Sequence, residues 1–251
     1  MTTRTAMPTI MPIRRTAPAD RLATPADLTS GPGLRGVTGA DDLKALSLLA
    51  AWFSPAYPVG SFAYSHGLEA AVAKGCVDDA GSLRTWLANV LEHGAGWNDA
   101  VLMAAAFHAP GDAEIADLAR SLAGSAERLL ETEKLGRAFA EVTTAAYGQP
   151  VDPAPFPVAA GRAVALHGLP LLPALALYLQ TFASNLVTAG VKLVPLGQTD
   201  GQRVLAQLLP ICETLSAKAA KAGLDAIGGA AIRAEIDAMQ HETQPVRLYR
   251  T

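Results

Sequence analysis

The stretch Ser82-Leu-Arg-Thr-Trp-Leu-Ala-Asn-Val-Leu-Glu-His93 decides the fold class. Leu83, Trp86, Leu87, Val90 and Leu91 fall at i, i+3, i+4, i+7 and i+8, the spacing that lays apolar side chains along one stripe of an α-helix. Asp78 and Asp79 precede it, Ser82 stands near its start, and Gly94 and Gly96 close it. A strand would alternate with a period of two, and nothing here does.

The helical period continues on both sides. Asp41 and Asp42 suit the positive end of a helix in which Leu43, Leu46, Leu49, Ala50 and Phe53 recur at helical spacing. Ser54-Pro55 ends it, because a residue before proline is pushed out of the α region. Pro55 to Gly60 reads as a stiff extended connector, followed by a helix over Ser61–Lys74 with Gly75 as its left-handed cap. Further helices are predicted near 97–108, over 112–147 with a break at Gly124-Ser125, and near 158–168, 172–190, 200–222 and 229–241. Pro210 is placed to kink the helix that holds it. Gly148 to Pro157 is a proline-rich loop, and Val191 to Pro195 is compatible with a short strand that has no partner. The expectation is an all-α, single-domain helical bundle over 41–242. Residues 1–40, rich in Pro and Thr, read as a flexible arm, and 243–251 as a tail that leaves the last helix after Pro245.

Half of the 251 residues are apolar and 17% are charged, enough for a sizeable core. A net charge of -3 gives no electrostatic case for nucleic acid. Cys76 and Cys212 are too few and too far apart for a disulfide framework; they read as small buried hydrophobes in a reducing, cytoplasmic protein. From Ala163 to Val191 there is no Asp, Glu, Lys or Arg, which raises a membrane span as an alternative. Pro170, Pro173, Gln180, Ser184 and Asn185 interrupt that run, so a buried helix of a soluble core is the favoured reading.

Catalytic signatures are missing from the sequence. It has no phosphate-binding G-x-x-x-x-G-K-[ST] loop and no C-x-x-C. Ser65 and His66 are adjacent, but a nucleophile elbow needs glycine two residues before the serine, and Ala63 stands there. His66 and Glu69, three apart on the expected helix, form a possible pair of metal ligands. They define a rival reading, a metal-dependent hydrolase. His93, His108, His167 and His241 are scattered singly and read as ordinary histidines.

Three segments are more specific than packing requires. In Ser54-Pro-Ala-Tyr-Pro-Val-Gly-Ser-Phe-Ala-Tyr-Ser-His-Gly-Leu-Glu69, Pro55 and Pro58 preset the backbone and Gly60 allows a sharp entry into the helix. Glu69 stands in an apolar run, where a carboxylate wants a partner. In Gly190-Val-Lys-Leu-Val-Pro-Leu-Gly-Gln-Thr-Asp-Gly-Gln202, Lys192 either snorkels to solvent or pairs with an acid. Gly197 and Gly201 bracket a polar turn with Thr199 or Asp200 as N-cap. The ending Arg247-Leu-Tyr-Arg-Thr251 carries the residue types that dominate protein–protein contacts, with a frayed end as the alternative.

Together these segments resemble the urease accessory protein UreF family. Its S-P-x-x-P-[VI]-G-x-[FY]-x-[YWH]-S-x-G-L-E signature is matched by Ser54, Pro55, Pro58, Val59, Gly60, Phe62, Tyr64, Ser65, Gly67, Leu68 and Glu69. The K/R-L-[IV]-P-L-G-Q-[TS]-x-G-Q block is matched from Lys192 to Gln202, and the R-L-[FY]-R-S ending reads with Thr251 for serine. The resemblance spans about 43–251. It implies a non-catalytic, all-α adaptor that joins UreD (also called UreH), usually as a dimer of heterodimers. That complex would recruit the GTPase UreG, modulate its GTP hydrolysis, and dock on apo-urease for nickel insertion. Nickel and GTP would belong to the partner complex, not to this chain. By the same resemblance Pro58, Tyr64, Glu69, Lys192 and Gln198 would face or support the GTPase side, and Gly60, Gly201 and Gln202 would be partner-binding too. Arg247, Leu248, Tyr249 and Arg250 would order on binding UreD or UreG.

Overall fold

A computed structural model describes residues 39–250, and every regular element among them is helical. In chain order these are α1 (Ala40–Trp52), a 3₁₀ turn (Ser61–Ala63), α2 (Leu68–Ala73), α3 (Ala80–His93), α4 (Ala95–His108) and α5 (Glu114–Ser121). There follow α6 (Ala126–Tyr147), α7 (Phe156–Leu166), α8 (Leu171–Leu193), α9 (Gln198–Ala219), a 3₁₀ turn (Leu224–Ala226) and α10 (Ile232–His241). The arm expected over 1–40 lies, up to residue 38, outside the described residues.

Helix α4 is the hub. It packs against α3, α5, α7, α8 and α9, and it is buried on nearly every side from Ala100 to Ala104. The stripe read in the sequence performs as expected in α3, where Leu83, Leu87, Val90 and Leu91 are buried. Burying each such side chain contributes about 1.5–3 kcal/mol. Asp79 caps α3 reciprocally with Ser82: the Ser82 amide donates to Asp79 Oδ1 at 2.7 Å, and Ser82 Oγ accepts from the Asp79 amide at 3.0 Å. An aromatic cluster joins the N-terminal segment to α6, with Trp52 edge-on to Phe139 and Phe53 stacked on it.

Helix α8 is the apolar run of the sequence. It is long and apolar enough to cross a membrane by those two criteria alone, but it is a core helix here, packed against α9, α4, α3 and α2. Its polar groups are used inside the fold: Asn185 Nδ2 donates to Ser61 Oγ at 3.0 Å, and Thr181 Oγ1 donates to the Phe53 carbonyl.

Four local expectations are corrected. The helix predicted over 61–74 is split, for a reason given below. Val191 to Leu193 continue α8 and form no strand, because Val194 is the first residue to turn extended. Helix α9 starts at Gln198 with Gly197 as N-cap and no side-chain cap, so neither Thr199 nor Asp200 serves; Asp200 bonds Arg203 at 2.7 Å instead. Cys212 is buried, which pushes its thiol up to about 11, but Cys76 is exposed, with Arg233 Nη2 at 2.8 Å from its sulfur.

Candidate functional site

The segment 54–69 is a built loop. Tyr57 folds back over Ser54 (amide to carbonyl, 3.0 Å), and its hydroxyl meets Thr143 Oγ1 on α6 at 2.8 Å. Gly60 takes φ 81 at the entry to the 3₁₀ turn, a left-handed conformation that costs other residues free energy. Tyr64 is extended, His66 has φ 54 and Gly67 φ 82. Two successive left-handed residues cannot continue a helix, so α2 begins only at Leu68. The turn also lies against α10: a Cβ on Gly67 would sit 2.5 Å from the Ala238 amide nitrogen. Periodicity could not show this, because the sequence between Ser61 and Glu69 reads well as a helix.

That turn sends His66 and Glu69 to different places. His66 Nε2 lies 3.0 Å from Glu131 Oε1 on α6. Glu69, buried in α2, faces the end of the chain. Its Oε1 accepts the Leu248 amide at 2.7 Å, its Oε2 accepts the Tyr249 amide at 2.9 Å, and His241 Nε2 lies 3.2 Å from that same Oε2. The shared helix face assumed for the His66–Glu69 metal pair is therefore not formed. Among the described residues no three His, Cys, Asp or Glu side chains converge to hold a metal ion.

His241, fully buried, also reaches Glu127 with its other ring nitrogen, Nδ1 to Oε2 at 2.8 Å. Arg247 pairs with the second oxygen of Glu127. The Arg250 amide donates to the Ala63 carbonyl at 2.9 Å. The phenols of both Tyr64 and Tyr249 are raised, first by burial and next by a carboxylate, Glu131 for Tyr64 and Glu69 for Tyr249. The tail is thus held by the signature loop within the single chain. The partner that Glu69 lacked in the sequence is the tail's own backbone, whose Leu248 and Tyr249 amides it accepts.

A second buried network lies beneath the loop. Arg128 bridges Asp99 (2.6 Å) and Glu131 (3.2 Å), and Tyr178 donates to Asp99 at 2.9 Å. Burial alone would lower the guanidinium and raise Glu131. The mutual charges win, so Arg128 stays firmly protonated, and the His66 and Arg128 charges hold the Glu131 carboxyl below its usual range. Tyr178 is raised well above its ordinary value by burial and the Asp99 charge. These groups line a cavity beneath the loop, together with Tyr64 and His66.

Comparison with known proteins matches the UreF family model to residues 77–209. The urease accessory protein UreF of Cereibacter sphaeroides (strain KD131) is 54% identical over 207 residues, 82% of this chain and 99% of the relative. Those of Ruegeria pomeroyi and Rhodopseudomonas palustris (strain HaA2) are 46% and 44% identical, covering 83% and 86% of this chain and 97% and 98% of theirs. The chain belongs to the UreF family.

In this UreF-family fold the first and last of the three signature segments meet, through Glu69 and the Leu248 and Tyr249 amides. Pro58 is exposed on the loop, Gly60 is half-buried, and Tyr64, Glu69 and Tyr249 are buried at its contact with the tail. Arg247, Leu248 and Arg250 keep exposed surface above that contact. Lys192 is exposed in the last turn of α8, so of its two readings the solvent one describes it, and Gln198 and Gln202 are exposed at the start of α9. Gly201 is buried: a Cβ there would stand 2.5 Å from Val191 Cγ2, so its absence lets α9 approach α8. Sequence reasoning missed Glu127, His241, Asp99, Arg128 and Glu131. Each is an ionisable residue at ordinary helical spacing, and His241 was read as one more scattered histidine.

Proposed function

We propose that this chain is a non-catalytic adaptor in urease maturation. It joins a UreD/UreH-type accessory protein and recruits a UreG-type GTPase, whose GTP hydrolysis it modulates as nickel enters apo-urease. The observation that carries this reading is the composite surface made by the loop and the tail. Phe62 on the loop and Val246 and Leu248 on the tail are 66%, 78% and 75% exposed, directly above the buried Glu69–Tyr249 anchor. Large apolar side chains held out over a fixed backbone favour association with another protein.

On this reading the chain binds no cofactor of its own, and nickel and GTP are carried by the partners. It works in the cytoplasm as a homodimer within the complex, without nucleic acid or membrane. The loop and the tail present the docking face, and Lys192, Gln198 and Gln202 form a second exposed polar group available to the GTPase. Pro58 and Gly60 shape the loop; Gly201 seats the helix that carries the two glutamines.

Co-expression with a UreD-type protein and the GTPase, followed by light scattering of the eluted species, tests this. A discrete complex with two copies of each supports it. Deleting Arg247–Thr251 should then abolish the complex while the helical circular dichroism stays unchanged. A truncated chain that still assembles would remove the tail from the docking face.

A further inference from the structure

Both ring nitrogens of His241 lie against carboxylate oxygens, Nδ1 at 2.8 Å from Glu127 and Nε2 at 3.2 Å from Glu69, and the ring has no solvent exposure. A neutral imidazole has one N–H and one lone pair, so it can donate to only one of these acceptors. Its lone pair would then face the other carboxylate with no water between them. With both carboxylates ionised, only the imidazolium satisfies both contacts.

The same two carboxylates hold the tail. Glu69 accepts the amides of Leu248 and Tyr249, and Glu127 accepts Arg247. With His241 protonated, two anions face two cations and the buried group is balanced; without that proton one negative charge is left uncompensated. Two other acids on or beside α10 are committed elsewhere. Asp237 bonds Lys74 at 2.5 Å and faces Arg233 at 4.0 Å, and Glu242 accepts the Ala126 amide at 2.7 Å, at the start of α6. Neither acid is paired with the ring.

We propose that His241 is a proton-operated latch for the C-terminal tail. With the imidazolium in place, Glu69 and Glu127 are drawn together and grip residues 247–249. Loss of the proton sets a lone pair against a carboxylate, and the strand of tail is released. His241 acts here as a positioning residue: it touches no tail atom in these contacts and works through the two acids. The use of such a latch rests on the tail being a docking element, but the latch itself is a property of the chain alone.

The test is amide hydrogen exchange at Leu248 and Tyr249 in the full-length ¹⁵N-labelled chain without partners, taken as protection relative to intrinsic exchange. Along a rising pH series, protection should fall about tenfold or more as the ring loses its proton, the effect of weakening a charged hydrogen bond. In His241→Gln the protection should be low with no such step. Protection that stays level in the wild type while the ring titrates overturns the latch. Should His241→Gln not fold, the ring ¹⁵N shifts of the wild type decide the matter. A ring doubly protonated for as long as the two amides are protected supports the latch; a neutral ring beneath protected amides overturns it. Because no partner is present, failure here leaves the adaptor reading standing.

Discussion

The Glu69 carboxylate accepts the backbone amide of Tyr249 at 2.9 Å across 180 residues of sequence, and the adjacent Leu248 amide at 2.7 Å. One side chain at the start of a short helix therefore closes the two ends of the signature onto each other. Backbone amides recognise a carboxylate whatever side chains they carry, so the anchor leaves the Leu248 side chain free for the surface.

Glu69→Ala should cost about 1–3 kcal/mol, since it strands two amides and a buried histidine. It should also raise the rate at which carboxypeptidase trims residues 247–251. Denaturant unfolding and mass spectrometry of the trimmed chain read the two effects. An intact tail in a destabilised variant would show that Arg250 and Tyr249 hold it without Glu69.

Gly67→Ala should destabilise the fold by more than about 1 kcal/mol, because φ 82 is left-handed and the new Cβ would overlap α10 at Ala238. The loss should appear first as faster exchange in α10, ahead of global unfolding. A thermal melt within experimental error of the wild type would mean that α10 can shift without penalty.

Glu131 ionises below the usual carboxylate range, against the opposing effect of burial, so its contribution has a definite sign with pH. It is present in full above the unfolded value of about 4.3 and is lost as the pH falls through the lower folded value. Unfolding curves of wild type and Glu131→Gln should therefore converge on acidification below about pH 4. At neutral pH the variant should be weaker by about 3–5 kcal/mol, because Arg128 loses one of its two buried acids. A gap that does not narrow in acid would assign the loss to packing.

Lys192 is exposed, and its removal should change stability by no more than about 0.5 kcal/mol. If Lys192→Ala weakens complex formation at unchanged Tm, the end of α8 belongs to the docking surface. Unchanged assembly would confine that surface to the loop and the tail.

How much of this was legible in advance differs by level. The helix over Ala80–His93, the break before Ala126 and the core role of Leu171–Leu193 follow from spacing, caps and composition, which are local properties. Glu69 stood out because a carboxylate among Leu68, Ala70, Ala71 and Val72 needs a partner, although nothing local names that partner. His66 was misplaced for the opposite reason. The sequence around it reads as an unbroken helix, and the turn that removes it packs against α10, some 170 residues further along the chain at Ala238.

By itself the sequence determined an all-α chain, its helix order, the three signature segments and its kinship with UreF proteins, because periodicity, capping and motif spacing are written along the chain. Only the tertiary structure decided which segments meet. It placed the tail on Glu69 and enclosed His241 between Glu69 and Glu127. Pairings between residues so distant in sequence depend on how helices pack, and no local pattern of residues encodes the charge that will face another once water is excluded.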